Sequence, residues 1–194
     1  MVKDLLVVGH SHVADLRGLG VKEFQVGGET VRVRYVFKRG GTYDSYLDDE
    51  GLYSRVTSSR ADIIVVILIG NLIKDSVSNE QITRKARDFY GKIRADFPGT
   101  TIVATQPEQR FYKVGNRFGC PVGRDYEVRR RQLNNFLRRS LKSKDHILMI
   151  SGPGRLDNQD LYRDEVHLKP VGISMLFGYI RKLVRYILVG REEE

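Results

Sequence analysis

Seven apolar residues, Ile63 to Ile69, follow Asp62 without interruption, and all but Leu68 are β-branched. β-Branched side chains are restricted in a helix and pack well on a pleated surface, so the run reads as a strand. It shows no polar alternation, so both of its faces are buried. A strand covered on both faces belongs inside a parallel sheet with helices above and below it. Leu5 to Val8 is a second run of the same kind.

The rest of the chain alternates strand and helix around these two runs. Val31 to Phe37 places Val31, Val33, Tyr35 and Phe37 on one face and Arg32 and Arg34 on the other, as a strand near an edge would, with Gly27-Gly28 making a tight turn before it. Thr100 to Thr105 and His146 to Ser151 complete five expected strands. Val13, Leu16 and Leu19 predict a first helix ending near Gly18 or Gly20, and a short helix runs from Tyr43 toward Val56. Helical spacing predicts further helices over Asn79 to Phe97, Glu127 to Leu141 and Val171 to Val189. The stripe over 127–141 is Val128, Leu133, Phe136, Leu137 and Leu141. The order implies right-handed crossovers and a three-layer α/β domain spanning 1–194, built on a doubly wound five-stranded parallel sheet.

Composition bounds the function classes. At 194 residues, with 41% apolar and 29% charged side chains, the chain suits one soluble domain. The N-terminal apolar run meets Gly9-His10 too soon for a signal peptide, and Arg181, Lys182 and Arg185 interrupt the last apolar segment. The lone Cys120 cannot form an internal disulfide, so an intracellular, cytoplasmic protein is expected. The net charge of +9 is concentrated: segment 107–144 holds eleven Lys and Arg against three acids. Such a block suits phosphate, as in nucleic acid, or an anionic membrane surface, with Arg129, Arg130, Arg131, Arg138 and Arg139 as the contacting residues. It equally suits a solvated helix face.

Ligands of open parallel sheets bind beyond the carboxyl ends of the strands. Four polar or glycine-rich clusters fall at that rim: His10-Ser11-His12, Arg39-Gly40-Gly41-Thr42, Gly70-Asn71, and Asp164-Glu165-Val166-His167 ahead of the last helix. Ser11 supplies a hydroxyl at the mouth of the first strand, and Asp164-x-x-His167 supplies a base and a carboxylate to orient it. Each residue also has a plainer reading. Ser11 could cap the first helix, Asn71 could serve a turn, and His10-x-His12 could join Asp164 and His167 as half of a metal site. The G-x-S-x-G elbow of α/β-hydrolases is absent, because Val13 stands at the second glycine.

Taken in order, these clusters resemble the four marker blocks of the SGNH hydrolases, the GDSL-like esterases, lipases and acetylhydrolases, including domains of this type carried by animal mobile elements. The Asp-x-Val-His-Leu block followed by Pro170 and Gly172 is the most specific part. His10 stands where the family carries Asp, Ile69 at the first Gly of the Asn block, and Leu72 at the Asp after Asn. The resemblance implies a serine esterase acting on a small acyl or acetyl ester without metal or cofactor. Ser11 would be the nucleophile, His167 the base and Asp164 its orienting acid. The oxyanion hole would comprise the Ser11 and Gly41 N–H groups, with Gly40 as the alternative, and the Asn71 amide. The competing expectation is a catalytically inert module that binds nucleic acid or anionic lipid through 107–144.

Overall fold

The computed structural model describes residues 1–107, 110–141, 147–150, 156 and 158–190, with only the backbone for 147–150. Its strands are β1 (Val2–Gly9), β2 (Glu23–Val26), β3 (Glu29–Phe37), β4 (Ile63–Ile67), β5 (Thr101–Thr105) and β6 (Ile147–Ile150). Its helices are α1 (Ser11–Gly18), α2 (Tyr43–Leu47), α3 (Glu50–Thr57), α4 (Asn79–Asp96), α5 (Gly123–Ser140) and α6 (Pro170–Val189).

Among the described residues the sheet order is β2-β3-β1-β4-β5-β6. The five expected strands are mutually parallel, from Val2↔Thr30 between β1 and β3 to Thr105↔Ile150 between β5 and β6. The sixth strand, β2, was not foreseen; it pairs antiparallel with β3 through the Gly27-Gly28 turn and moves β3 in from the edge. Four residues with only Phe24 and Val26 buried are too short a pattern to announce a strand. His146 and Ser151, the expected ends of the fifth parallel strand, lie outside the described residues, as do Lys142 and Lys144 of the basic segment.

Helices cover both faces. Leu6, Val8, Ile64 and Val66 pack against α2 to α5, while Leu5, Val7, Ile63, Val65 and Ile67 pack against α1 and α6. That division is why the runs in β1 and β4 show no alternation. The predicted helix over 43–56 is two, because Asp49 caps a fresh start by accepting from the Leu52 N–H. α4 begins in a capping box: the Gln81 N–H donates to Ser78 Oγ at 3.2 Å and the Ser78 N–H to Gln81 Oε1 at 2.8 Å. Pro170 opens α6, where its missing N–H costs nothing. On α5 the inward stripe is narrower than the periodicity suggests. Tyr126, Leu133 and Leu137 are buried, whereas Val128 and Phe136 are exposed. No helix among the described residues is long and apolar enough to cross a membrane.

Gly9 ends β1 at the point where the site begins. A Cβ there would collide with the Ile67 carbonyl of β4 and with Val13 Cγ2 of α1, so only glycine lets the chain turn against its neighbour strand. Gly9→Ala should therefore lower stability by roughly 1–3 kcal/mol, as overpacking does. Gly18→Ala, with nothing within 4 Å of the new Cβ, should be neutral or stabilising. Urea midpoints of the two variants would check the contrast; equal midpoints would contradict it.

Candidate active site

The strand order without β2 reverses direction at β1, and the crevice beyond β1 and β4 is the topological switch point of the sheet. Four loops meet there. At the end of β1, His10 is the N-cap of α1, and its Nδ1 accepts from the His12 N–H at 3.4 Å. Capping thus falls to His10 rather than to Ser11, which is the first residue inside the helix. The Ser11 side chain and N–H make no hydrogen bond among the described residues. Its hydroxyl is at the N-terminal end of α1, where unsatisfied backbone N–H groups favour negative charge.

After β3, Lys38-Arg39-Gly40-Gly41 forms a tight turn. The Gly41 N–H donates to the Lys38 carbonyl at 2.8 Å, and a Cβ on Gly41 would crowd that same oxygen. Gly40 takes a left-handed φ of 69°. This corrects the assignment of the Gly41 N–H to the oxyanion hole, since that donor is already engaged. The Gly40 N–H belongs to the central peptide of the turn and donates to no described residue. After β4, a 3₁₀ turn (Ile69–Leu72) buries Ile69 and Leu72 and leaves Asn71 half-buried. Asn71 Nδ2 donates one N–H to the Gly41 carbonyl at 3.1 Å, and the amide carries a second.

The loop before α6 is held by its own bonds. Asp164 Oδ1 accepts from the Val166 and His167 N–H groups, both at 2.7 Å, and Oδ2 faces His167 Nδ1 at 2.7 Å. Partial burial pushes the Asp164 carboxyl up. The two backbone donors and the imidazole outweigh it and bring the pKa to about 2. An ionised carboxylate only accepts, so His167 Nδ1 carries a proton and Nε2 is the ring nitrogen turned away from Asp164. His12 then ties this loop to α1: its Nε2 is 2.9 Å from the Val166 carbonyl. That contact makes His12 a link between the serine loop and the histidine loop. No cluster of three His, Cys, Asp or Glu able to hold a metal occurs among the described residues.

Ser11, Gly40, Asn71 and His167 all line one cavity of about 190 Å³. No hydrogen bond joins Ser11 Oγ to the imidazole. The far wall comes from the segment after β5: Arg110, Tyr112, Phe118 and Cys120. Burial pushes the Tyr112 hydroxyl up to about 12 and raises the Cys120 thiol, so both remain protonated. Arg110 had not been singled out by any pattern; it is 3% exposed, and its Nη1 donates to the Tyr112 oxygen at 2.9 Å. Two larger surface clefts, of about 530 and 730 Å³, include neither Ser11 nor His167.

The five arginines of the basic helix divide. Arg129 donates to the Lys74 carbonyl at 2.6 Å and to the Val77 carbonyl, and Arg130 grips Glu127 through Nε and Nη2 at 2.8 and 2.9 Å. Arg131 shares Glu127 at 2.7 Å, and Arg138 and Arg139 are exposed. A phosphate-binding face on α5 therefore has fewer available cations than its sequence suggests.

No protein-family model matches the chain, and no curated protein matches it in sequence. Its likeness to solved structures is extensive. A lipase/acylhydrolase from Enterococcus faecalis superposes with a TM-score of 0.68 at 14% identity, over 98% of this chain and 100% of that one. TesA gives 0.63 at 17% identity, over 96% and 100%. A catalytic mutant of the acetylxylan esterase Axe2 from Geobacillus stearothermophilus gives 0.61 at 14%, over 93% and 94%. The chain has the three-layer α/β fold of these structures.

Proposed function

We propose that the chain is a serine ester hydrolase that cleaves short acyl esters through an acyl-enzyme. The observation that carries this reading is the meeting, in one cavity, of an uncommitted Ser11 hydroxyl with His167, whose tautomer Asp164 holds at 2.7 Å. His167 Nε2 takes the proton as Ser11 Oγ attacks the ester carbonyl, and Asp164 stabilises the imidazolium. The new oxyanion accepts hydrogen bonds from the Ser11 and Gly40 N–H groups and from the second Asn71 N–H. Collapse breaks the carbonyl–alkoxy bond, and His167 returns its proton to the departing alcohol. Water, deprotonated by the same imidazole, then releases the carboxylic acid and restores Ser11. The likeness to a lipase/acylhydrolase and to acetylxylan esterases supports the reaction class.

A cavity of about 190 Å³ is below the roughly 300–1,000 Å³ of drug-sized ligand pockets, which favours acetyl over long acyl groups. Hydrolysis of p-nitrophenyl acetate should exceed that of the butyrate, and the octanoate should be poorest. A fluorophosphonate should label Ser11. Well-folded protein that neither turns over these esters nor takes the label would end the esterase reading.

A further inference from the structure

The cavity that holds Ser11 and His167 has an unusual charge. Arg39, Lys74 and Arg110 all line it, and no carboxylate does so among the described residues. Arg39 and Lys74 are exposed at its rim, whereas Arg110 is buried. Among the described residues Arg39 has only a long pairing, 3.9 Å to Asp15. The Arg110 guanidinium packs directly over Gly70, the residue before Asn71. A Cβ at position 70 would lie 2.9 Å from its Cζ and 3.0 Å from its Nε. A larger residue there would have to displace the guanidinium, so glycine leaves room for the cation beside Asn71. Tyr112 supplies a neutral acceptor at 2.9 Å and fixes one nitrogen. A guanidinium carries five N–H donors, of which the bond to Tyr112 uses one.

Resting on the esterase reading, we propose that the preferred substrate is an anionic ester, carrying a carboxylate or phosphate close to the scissile bond. Arg110 is the specificity-determining residue, and Lys74 and Arg39 attract the anion at the rim. A desolvated guanidinium binds such groups through charge-assisted, often paired hydrogen bonds. The reaction is unchanged: the acyl–alkoxy bond breaks, water supplies the new hydroxyl, and the charged group is a spectator.

Matched pairs test this on the intact protein. On the alcohol half, 3-acetoxybenzoate and 3-acetoxyphenyl phosphate are compared with 3-acetoxybenzamide. On the acyl half, p-nitrophenyl hemisuccinate is compared with p-nitrophenyl pentanoate. In at least one half, kcat/KM should favour the anion by about 10- to 100-fold, the range of a charged hydrogen bond. Benzoate against phosphate tells which anion is taken. Arg110→Gln should collapse that ratio; should it not fold, Lys74→Gln at the rim should lower the ratio severalfold, as should added salt. Ratios near one in both halves would overturn the proposal while leaving the esterase standing. Titration calorimetry of Ser11→Ala with 3-acetoxybenzoate and 3-acetoxybenzamide separates the two readings. Arg110-dependent binding of the benzoate, with no ester turned over by wild type, would uphold anion recognition and sink the esterase.

Discussion

Ser11→Ala should reduce ester turnover by about 10⁴-fold or more and abolish fluorophosphonate labelling, with little change in stability. The loss is large because the nucleophile and its base act as a unit. Without the hydroxyl, the oxyanion donors and the binding cavity still give some acceleration over water, but no acyl-enzyme can form. Stability should hold because the hydroxyl bonds no described residue and the cap of α1 belongs to His10. Thermal melts beside p-nitrophenyl acetate kinetics would check both halves. A fully active variant would remove Ser11 from the mechanism. A variant that unfolds would return it to a structural role.

Asp164→Asn should lower kcat by about 10⁴-fold while leaving the loop largely intact. Asn keeps an oxygen that can accept from the Val166 and His167 N–H groups, so the loop's local bonds survive. Its amide would present a donor to His167 Nδ1, however, and so place the imidazole proton on Nε2, facing Ser11. The base would then be blocked by its own proton. Asp164→Ala, which loses the backbone bonds as well, should cost both activity and stability. The charge also predicts a pH dependence. The Asp164 carboxyl is held at about 2, below its ordinary value of 3.8. The stabilisation it contributes is complete above the ordinary value and is lost as pH falls through about 2. Acid unfolding followed by circular dichroism between pH 4 and 2 should therefore be shallower in Asp164→Asn than in wild type. Parallel curves would show that the carboxylate's bonds add nothing to the fold.

The link from His12 to Val166 gives these effects a common frame. The serine loop and the histidine loop come from opposite ends of the chain. Among the described residues the His12–Val166 contact and the Arg163–Asp15 ion pair at 3.7 Å join them, and the wall segment pairs with the histidine loop. In that pairing the Phe111 N–H reaches the Glu165 carbonyl at 3.1 Å and the Lys113 N–H reaches the Glu165 carboxylate at 3.2 Å. The wall of the cavity and the loop that carries Asp164 and His167 are thus one structural unit. Changes in either should be felt in both.

The apolar runs at Leu5–Val8 and Ile63–Ile69 were sufficient to place β1 and β4 at the centre of a parallel sheet. Burial on two faces removes the polar alternation, and that absence is visible in the sequence. The same strand ends located Ser11, Asn71, Asp164 and His167, because an open parallel sheet gathers its loops on one rim. What the sequence left undecided depended on where backbone hydrogen bonds go and on which segments meet. Gly40 and Gly41 are equivalent as letters, and only the turn shows that one N–H is engaged by Lys38 while the other is not. Ser11 alone reads as a possible cap of the first helix, and only the bond from the His12 N–H shows that His10 fills that role. Arg110 followed no periodicity, since its burial arises from contact with Gly70, forty residues earlier in the chain. β2 was hidden because four residues at an edge bury too little to leave a pattern. Local chemistry and periodicity determined the elements and the rim; long-range contact decided which donors face the cavity and what charge it carries.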